Sequence, residues 1–548
     1  MERSKRLSIA AVFTVFMYLI MLSQPLFGSA IDNYGAAMMI GQCFGADSVF
    51  VHISAGYCKL LGFLSGLLPR ASLFMLAERF FVLLGMFALS DLILEKAKNV
   101  LEAVGLHLAL VGLYGLMHLY NANYTVWTGF FLFVGWMLLA NEQRSEKKRW
   151  GRRIFGYLFF FAGCVLRIQA VAQMLPFICL DVLLRAWDGH FSGFGKRIKK
   201  AVLLMLPAVL LVAAAGAEIY CVYLKGDYAS EYAYNAARIS VVDYPTKDYA
   251  ELENPTFSEN DYACVTNWVL MDTDIVTTEY LENMHDTAAE ESAFSVPEMM
   301  ARVKDMYFST RDHIPLFLLV AAMVIFLFVQ EGCVQKLRSG LAVLGAAMIL
   351  AYLCYRGRLP DRVVYLLCLG ILGNVLSSVL NDDLKGPNVM RWLAGFAAVC
   401  VFVCAGWIVL RDAEEMQSAF DAKAVTTSEE AGDTVIIWDM MYCSTDSPLT
   451  TPYDENPARL PDYGITNHNT STGDVSSGQK SYFDQLSRMG IQNPMRALIE
   501  RENTYFAASE LNANRVLIWL QEHYDASTTM AQVDTSGNTA IWQYQTGE

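Results

Sequence analysis

Long apolar runs separated by short polar loops dominate the first three quarters of this chain. The runs are 15 to 24 residues long, and most are long enough to span the roughly 30 Å hydrocarbon core of a bilayer as an α-helix. We expect helices at 7–27, 71–94, 100–120, 125–140, 201–223, 314–330, 340–354, 363–380 and 392–410, with two short helices inside 154–185. The pattern predicts eleven membrane crossings.

Two other patterns interrupt this regularity. The stretch "VFVHISAGYCKLLGFLSGLL" after the first run is amphipathic and could lie in the membrane interface. From residue 411 the chain becomes soluble in character: "DTVIIWDMMY" and "NTAIWQY" predict strands, and "SYFDQLSRMG" and "ANRVLIWLQEHY" predict helices. We expect a small α/β module of about 115 residues there.

These patterns predict a mainly α-helical, polytopic membrane bundle with a mostly helical outer insertion and a small C-terminal α/β domain. The expected division is an N-terminal bundle at 1–224 with a first outer loop at 28–69, an acidic insertion at 225–312, further membrane helices at 313–410, and a soluble domain at 411–548. No internal repeat typical of an inverted-repeat transporter is found.

Composition and charge support a membrane protein and orient it. The chain is 54% hydrophobic, and its mean hydropathy of +0.31 excludes an ordinary soluble domain. The insertion carries a net charge of −12 and the tail −13, whereas the remainder carries +11. The positive-inside rule therefore predicts a plasma-membrane protein with a cytoplasmic N-terminus and an extracellular C-terminal domain. We interpret 7–27 as a retained helix, because it is too long for a signal peptide.

Several classes of chemistry have no support in the sequence. The twelve cysteines show neither CxxC nor zinc spacing, and the chain has no Walker A, GxSxG or HExxH motif. The short basic loops are expected in the cytoplasm and do not indicate nucleic acid as a partner. Asp261, Asp272 and Asp274 could suggest a divalent cation, but acids are abundant in this segment and we expect most of them at the surface.

The candidate catalytic residue is Asp32, which follows the first apolar run. A carboxylate so close to lipid needs water, a partner or a function, and it could act as a general base. Asn33, Asp47 and His52 in the same outer loop are candidate acceptor-binding residues. The alternatives are that Asp32 and Asp47 are helix-capping loop acids and that His52 belongs to the polar face of the amphipathic stretch.

The loop "CYRGRLPDRVVYLL" is the one basic loop expected on the outer side. It carries Arg356, Arg358 and Arg362, and guanidinium groups are the preferred partners of phosphate oxygens. These residues are therefore candidates for binding a lipid phosphate or diphosphate. The alternative is that they snorkel and anchor helix ends on anionic lipid.

Arg167 interrupts the apolar run 154–185 in "YLFFFAGCVLRIQAVAQMLPF". An unpaired charge there would cost several kcal/mol, so we expect it to face a polar cavity, in which Arg167, Gln169 and Gln173 form a candidate substrate wall. Gln169 would contribute to the same wall as a substrate-binding residue. The alternative is an arginine that pairs with an acid for packing alone.

The ordered stretches "AIDNYGAAMMIGQCFGADSVFVHISAGYCKLLGFLSGLLP", "YTVWTGFFLFVGWMLLA", "GCVLRIQA", "YNAARISVVDYP", "SENDYACVTNWVLMDTD" and "GRLPDRVVYL" resemble the GT-C superfamily of integral-membrane glycosyltransferases. Within it, the chain is most similar to the bacterial polyprenyl-phosphate-sugar-dependent, glucosyltransferase-like group. The resemblance covers the chain from the first helix to about residue 380.

The resemblance implies inverting transfer of a sugar, expected to be a hexose, from a polyprenyl-phosphate donor to an acceptor hydroxyl of the cell envelope. It implies that Asp32 is the catalytic or acceptor-binding carboxylate. It also implies that the donor's lipid phosphate is held by arginines, here Arg167, Arg356, Arg358 and Arg362. Relatives often carry two adjacent acids there, whereas this chain has Asn33; a divalent metal is possible but not expected. Two other functions stay open: a flippase or transporter of a lipid-linked sugar, and a non-catalytic scaffold in envelope assembly.

Overall fold

The structure is a computed structural model. It describes residues 2–23, 30–44, 49–68, 71–97, 99–119, 123–144, 149–187, 193–290, 295–308, 314–329, 333–380, 433–443, 447, 449, 466–473 and 478–547. The chain forms two compact units. Unit 1 comprises 1–29, 77–217 and 293–414, and unit 2 comprises 30–76, 218–292 and 415–548.

The described residues are mainly helical. The helices are α1 (Arg3–Ser23), α2 (Ala30–Ile40), α3 (Ala55–Ser65), α4 (Leu73–Lys96), α5 (Val100–Leu119), α6 (Tyr124–Arg144), α7 (Trp150–Leu166), α8 (Ile168–Trp187), α9 (Phe194–Glu218), α10 (Ala229–Val242), α11 (Glu259–Thr266), α12 (Thr278–Ala288), α13 (Val296–Val303), α14 (Ile314–Val329), α15 (Cys333–Tyr355), α16 (Asp361–Val379), α17 (Met440–Cys443), α18 (Lys480–Arg488), α19 (Pro494–Glu500) and α20 (Glu510–His523). Short helical turns follow at Ile219–Leu224, Tyr249–Glu251 and Lys304–Phe308.

Six helices of the described chain are long and apolar enough to cross a membrane. They span Arg3–Leu22, Leu73–Lys96, Tyr124–Gln143, Ile168–Trp187, Phe194–Leu224 and Lys336–Tyr355. A mainly α-helical, polytopic membrane fold is thus confirmed. The count of eleven crossings stays a prediction, and the run 392–410 lies outside the described residues.

The break predicted within the run 154–185 is confirmed at Arg167. Helix α7 ends at Leu166 and α8 begins at Ile168. Between them Arg167 has extended backbone angles, φ −159° and ψ 102°, while its N–H still donates to the carbonyl of Gly163. The chain therefore changes direction at the single charged residue in the middle of the apolar run.

A buried carboxylate joins four helices of unit 1. Asp181 of α8 accepts hydrogen bonds from Trp136 Nε1 (2.9 Å), Arg185 Nε (2.8 Å) and Ser377 Oγ (2.8 Å), and Arg338 Nη1 lies 3.3 Å from its other side. All five side chains are buried. A buried charge is tolerated only when it is paired and hydrogen-bonded, which this arrangement achieves. It fixes α6, α8, α15 and α16 against one another.

Contacts at glycines show that three of these helices run in the same direction. A Cβ at Gly129 of α6 would overlap Leu366 of α16, and a Cβ at Gly373 of α16 would overlap Trp136 of α6. One turn from Gly373, Gly370 packs directly against the ring of Phe177 in α8. Residue numbers rise together along α6 and α16, and along α8 and α16 they rise from Phe177 at Gly370 to Asp181 at Ser377. Helices α6, α8 and α16 are therefore parallel and begin at the same end of unit 1.

We expect Asp181→Asn to lower the free energy of unfolding by about 3–5 kcal/mol, because the amide leaves Arg185 and Arg338 buried without their counter-charge. Thermal or denaturant unfolding of the full chain in detergent measures the loss. Asp286→Asn is the control, since that side chain is 79% exposed. Equal stability of the two variants would contradict a structural role for Asp181.

Unit 2 contains a five-stranded mixed sheet. Its strands are β1 (Val435–Trp438), β2 (Asn469–Ser471), β3 (Thr504–Ala508), β4 (Thr529–Ser536) and β5 (Thr539–Gln545). The order is β2-β1-β3-β5-β4, with β1 parallel to β2 and β3 and with β5 antiparallel to β3 and β4. The strands predicted in "DTVIIWDMMY" and "NTAIWQY" and both predicted helices are confirmed.

The insertion and the tail share one core within unit 2. Buried apolar residues from α10 to α12 pack with residues of the sheet and α20. At the centre of the polar contacts, Asp272 accepts from Trp519 Nε1 and Tyr524 OH at 2.8 Å each and from Asn493 Nδ2 at 2.8 Å. The expectation that most of the three acids lie at the surface is wrong: Asp261 and Asp272 are buried and are paired with side chains of the tail, whereas Asp274 is exposed.

The first outer segment belongs to the same unit. Arg488 Nη2 donates to the carbonyl of Cys43 at 2.8 Å, and Tyr223 OH donates to the carbonyl of Ile53 at 2.6 Å. Hydrogen bonds thus join residues that are more than 160 positions apart in the sequence. Unit 2 is assembled from three separate stretches of sequence.

The pair of Asp261 and His523 makes the stability of unit 2 depend on pH. His523 Nε2 lies 2.6 Å from Asp261 Oδ1, and this hydrogen bond raises the pKa of His523. Burial works against the charge of Asp261, but the hydrogen bond from His523 outweighs it and the pKa of Asp261 is lowered.

A raised histidine pKa contributes stability below its unfolded value that is lost as the pH rises through the folded value. We therefore expect the stability difference between the parent and His523→Gln to be largest near pH 5 to 6 and to shrink above the folded pKa of His523. Thermal unfolding from pH 5 to 9 measures it. A difference that is constant across this range would contradict the ion pair.

Candidate functional site

The side chain of Arg167 contacts the first residue of α6. Its Nη1 donates to Tyr124 OH at 2.8 Å, and its Cζ lies 5.1 Å from the centre of the Tyr124 ring. Among the described residues, no carboxylate lies within ion-pair distance of Arg167. The alternative expected from the sequence, an arginine paired with an acid for packing, is not what the described residues show.

The arginine loop is built on a helix C-terminus. Helix α15 ends at Tyr355, and Gly357 follows with φ +72°, a conformation that favours glycine. The N–H of Arg358 donates to the carbonyl of Leu353, and that of Gly357 donates to the carbonyl of Cys354. This pair of bonds is the Schellman motif, which fixes the backbone on which Arg356 and Arg358 are mounted.

A fourth arginine contacts this loop. Arg302 of α13 donates from Nη1 to the carbonyl of Tyr355 at 3.1 Å, which satisfies one of the last carbonyl groups of α15. Arg356 is exposed and Arg358 is half-buried. Arg362 is half-buried in the first turn of α16.

Arg167 and the loop arginines lie at the same end of unit 1. Tyr124, Arg167 and Arg362 are at the beginnings of the parallel helices α6, α8 and α16. Helix α15 is antiparallel to them, because Arg338 near its start contacts Asp181 in the C-terminal half of α8. The C-terminal end of α15 therefore lies beside the N-terminal ends of α6, α8 and α16. We call this region the arginine end and define it by Tyr124, Arg167, Arg356, Arg358 and Arg362.

Buried polar atoms accompany the arginine end. Asn123 caps α6, since its Oδ1 accepts from the N–H groups of Thr125 and Val126. Its Nδ2, Thr125 Oγ1 and Gln173 Oε1 are buried and have no hydrogen-bond partner among the described residues. Such groups are costly unless water or a polar ligand meets them. Gln169, the predicted wall residue, is exposed on α8.

The outer-loop candidates belong to unit 2. Asn33 is buried on α2, which also carries Asp32. The side chain of Asp32 and the whole of Asp47 lie outside the described residues. His52 is half-buried, and its Nε2 lies 3.5 Å from Asn235 Nδ2 of α10.

Helix α10 adds charged residues that the sequence analysis missed. Arg238 is 2% exposed; its Nη2 donates to Asn235 Oδ1 at 2.6 Å and its Cζ lies 4.8 Å from the centre of the Trp268 ring. One turn before Asn235, burial raises the pKa of Glu231 to about 6. Glu231, Asn235 and Arg238 are spaced by four and three residues, and that helical spacing in "EYAYNAARISVV" was the available signal.

The chain was compared with known proteins. No protein-family model and no curated protein matches it. Among solved structures it is similar to the crystal structure of ArnT from Cupriavidus metallidurans bound to undecaprenyl phosphate, with 10% identity and a TM-score of 0.33 over 98% of this chain and 97% of that chain. A score this low does not establish a common fold. The fold of the described residues defines a multi-pass, mainly helical membrane protein, and its site is interpreted from its own geometry.

Four arginines at one end of an apolar bundle are suited to binding a phosphate group. We expect Arg167→Gln to weaken the binding of a short-chain polyprenyl phosphate by roughly tenfold or more, because a hydrogen bond to a charged group contributes about 1.5–3 kcal/mol. Tyr124→Phe removes only the hydroxyl that orients Arg167 and should have a smaller effect. Calorimetric titration in detergent measures both.

Lys199→Gln is the matched control, because it removes an exposed positive charge from α9. It should leave the affinity unchanged. If Lys199→Gln and Arg167→Gln weaken binding equally, the effect is general electrostatic attraction and Arg167 does not contact the phosphate.

Proposed function

We propose that this protein is a membrane glycosyltransferase of the GT-C type. It transfers a sugar, expected to be a hexose, from a polyprenyl-phosphate donor to an extracytoplasmic hydroxyl of the cell envelope, with inversion at the anomeric carbon. Asp32 acts as the general base. The lipid phosphate is held by Arg167, Arg356, Arg358 and Arg362. The acceptor is contacted by Asn33, Asp47, His52 and Gln169. The sequence resemblance and the arginine end support this proposal.

The observation that carries it is the position of Arg167. The guanidinium stands at a helix break in an apolar bundle, and its side-chain partner among the described residues is the neutral hydroxyl of Tyr124. The other arginines of the arginine end lie at the same end of unit 1. A group of cations in this setting is stabilised by an anion, and a phosphate on a lipid carrier can reach it from the membrane.

The chemistry of transfer agrees with a cationic site. When the bond from the sugar to the carrier breaks, negative charge develops on the phosphate oxygens. Fixed guanidinium groups stabilise that charge most strongly in the transition state, and so they accelerate the reaction. The acceptor hydroxyl must lose its proton as it attacks, and a carboxylate such as Asp32 can accept it.

Glu231 is the second carboxylate suited to the role of base. Its pKa of about 6 lies closer to neutrality than that of an ordinary carboxylate, which favours proton transfer near pH 7. Asp32 is preferred because it occupies the position that the sequence resemblance assigns to the catalytic acid. Substitution of each carboxylate distinguishes the two.

We expect Asp32→Asn to lower the rate of sugar transfer by roughly 10²–10⁴-fold, because general-base catalysis is worth that much. The assay gives the purified protein a radiolabelled polyprenyl-phosphate hexose and a membrane extract as the acceptor. Glu231→Gln is tested beside it, and Asp286→Asn is the control on an exposed acid. An unchanged melting temperature shows that each variant is folded.

Equal transfer by the parent and Asp32→Asn would remove Asp32 from the mechanism. If the parent transfers no sugar in this assay but moves the labelled donor across vesicles, the protein is a transporter of a lipid-linked sugar and the enzymatic proposal is wrong.

A further inference from the structure

A second cationic region lies at the opposite end of unit 1. Arg167 follows the C-terminal residue of α7, whereas a cleft of about 630 Å³ lies beside the first turn of the same helix. The N-terminus of α1, the end of α4 and the start of α7 line this cleft. Its volume is within the range of small-molecule sites in proteins. At 1.5 Å per residue, the 17 residues of α7 place it about 25 Å from Arg167.

Arginines outnumber acids around the cleft. Arg6 Nε lies 2.5 Å from Asp91 Oδ1 and its Nη1 lies 3.1 Å from Glu95 Oε2. Arg152 Nη2 lies 2.9 Å from Glu95 Oε2, and Arg149 pairs with the same carboxylate. Two carboxylates therefore hold three arginines in place, so their guanidinium groups are already positioned before any ligand arrives.

A fourth arginine adds to the positive charge. Arg3 lies one turn before Arg6 on α1 and lines the cleft, and among the described residues no acid lies within ion-pair distance of it. The four arginines and two acids leave a net charge of +2 at the cleft. An anionic ligand can neutralise this excess without displacing the existing ion pairs.

The floor of the cleft contains the start of a helix. Gly151, in the first turn of α7, lines it, and a Cβ built on Gly151 would have no atom within 4 Å. Arg149 at the N-cap makes no side-chain capping bond, so the first N–H groups of α7 are not capped by their own N-cap residue. The N–H of Arg149 itself donates to Glu142 Oε2 at 3.1 Å, and the charge of Glu142 is balanced by Arg153 at 3.4 Å. A helix start favours negative charge and adds to the attraction of the arginines.

The remaining wall is apolar and continues along the outside of the helices. Leu7, Phe87 and Phe155 line the cleft. Beyond it, α1 exposes a series of apolar side chains, and only 17% of its apolar span is buried. A ligand with an anionic head and an apolar tail can therefore place its head among the arginines and its tail along α1.

We propose that this cleft binds a phosphate-bearing anion, and that it is a site separate from the arginine end. A phosphate group fits the fork geometry of the arginines and the start of α7. Its source is the headgroup of an anionic phospholipid or a free phosphate, and the experiment below distinguishes the two. This inference does not depend on the glycosyltransferase activity.

The test measures the melting temperature of the full chain in detergent against three probes: dioctanoyl-phosphatidylglycerol, dioctanoyl-phosphatidylcholine and inorganic phosphate. We expect phosphatidylglycerol to raise the melting temperature, because binding to the folded state alone stabilises it, whereas phosphatidylcholine has no net charge and should do so far less. Arg3→Gln should shift the half-saturating concentration roughly fivefold or more upward. A rise with inorganic phosphate at comparable concentrations would assign the source as free phosphate.

Two variants make the result specific. Lys5→Gln removes an exposed charge from the same helix but from outside the cleft, and it should leave the half-saturating concentration unchanged. Gly151→Leu fills the cleft without changing its charge and should weaken binding. The proposal is overturned if neither phosphatidylglycerol nor inorganic phosphate stabilises the protein more than phosphatidylcholine does. It is equally overturned if Lys5→Gln matches Arg3→Gln.

Discussion

The carboxylate of Asp181 is the constraint on which the architecture of unit 1 depends. It accepts hydrogen bonds from α6, α15 and α16 as well as from its own helix. These bonds fix the positions of the four helices along their axes relative to one another. The contacts with Asp181 lie 12 to 17 residues from the starts of α6, α8 and α16 and from the end of α15. At 1.5 Å per residue those ends lie about 18–26 Å away, in one layer.

The proposed function depends on this alignment of the helix ends. Because the helices begin or end at the same height, Arg167 at the start of α8 and the loop arginines after α15 share one end of the bundle. Positive charge placed there cannot be solvated by lipid, and the polar atoms buried beside it add to the cost. In the proposed function, an anionic group on a lipid carrier lowers this cost.

The sequence could predict local features but not the contacts between distant segments. The charged interruption at Arg167 predicted the helix break, and short stretches rich in apolar and aromatic residues predicted β1 and β5, because each signal lies within a few residues. Asp181 has no local signal that marks it as a structural centre, since its partners come from helices up to 196 residues away. Asp272 was misjudged for the same reason: Trp519 and Tyr524, which bury it, come from the tail. The packing of three segments into unit 2 has no local signature at all.

A double-mutant cycle tests the central claim most directly, namely that one anion contacts both Arg167 and the arginine loop. The affinity for a short-chain polyprenyl phosphate is measured for the parent, for Arg167→Gln, for Arg358→Gln and for the double variant. If both arginines bind the same phosphate, the losses will depart from additivity by more than about 0.5 kcal/mol. Losses that add within that margin, or an unchanged affinity in either single variant, would contradict the claim.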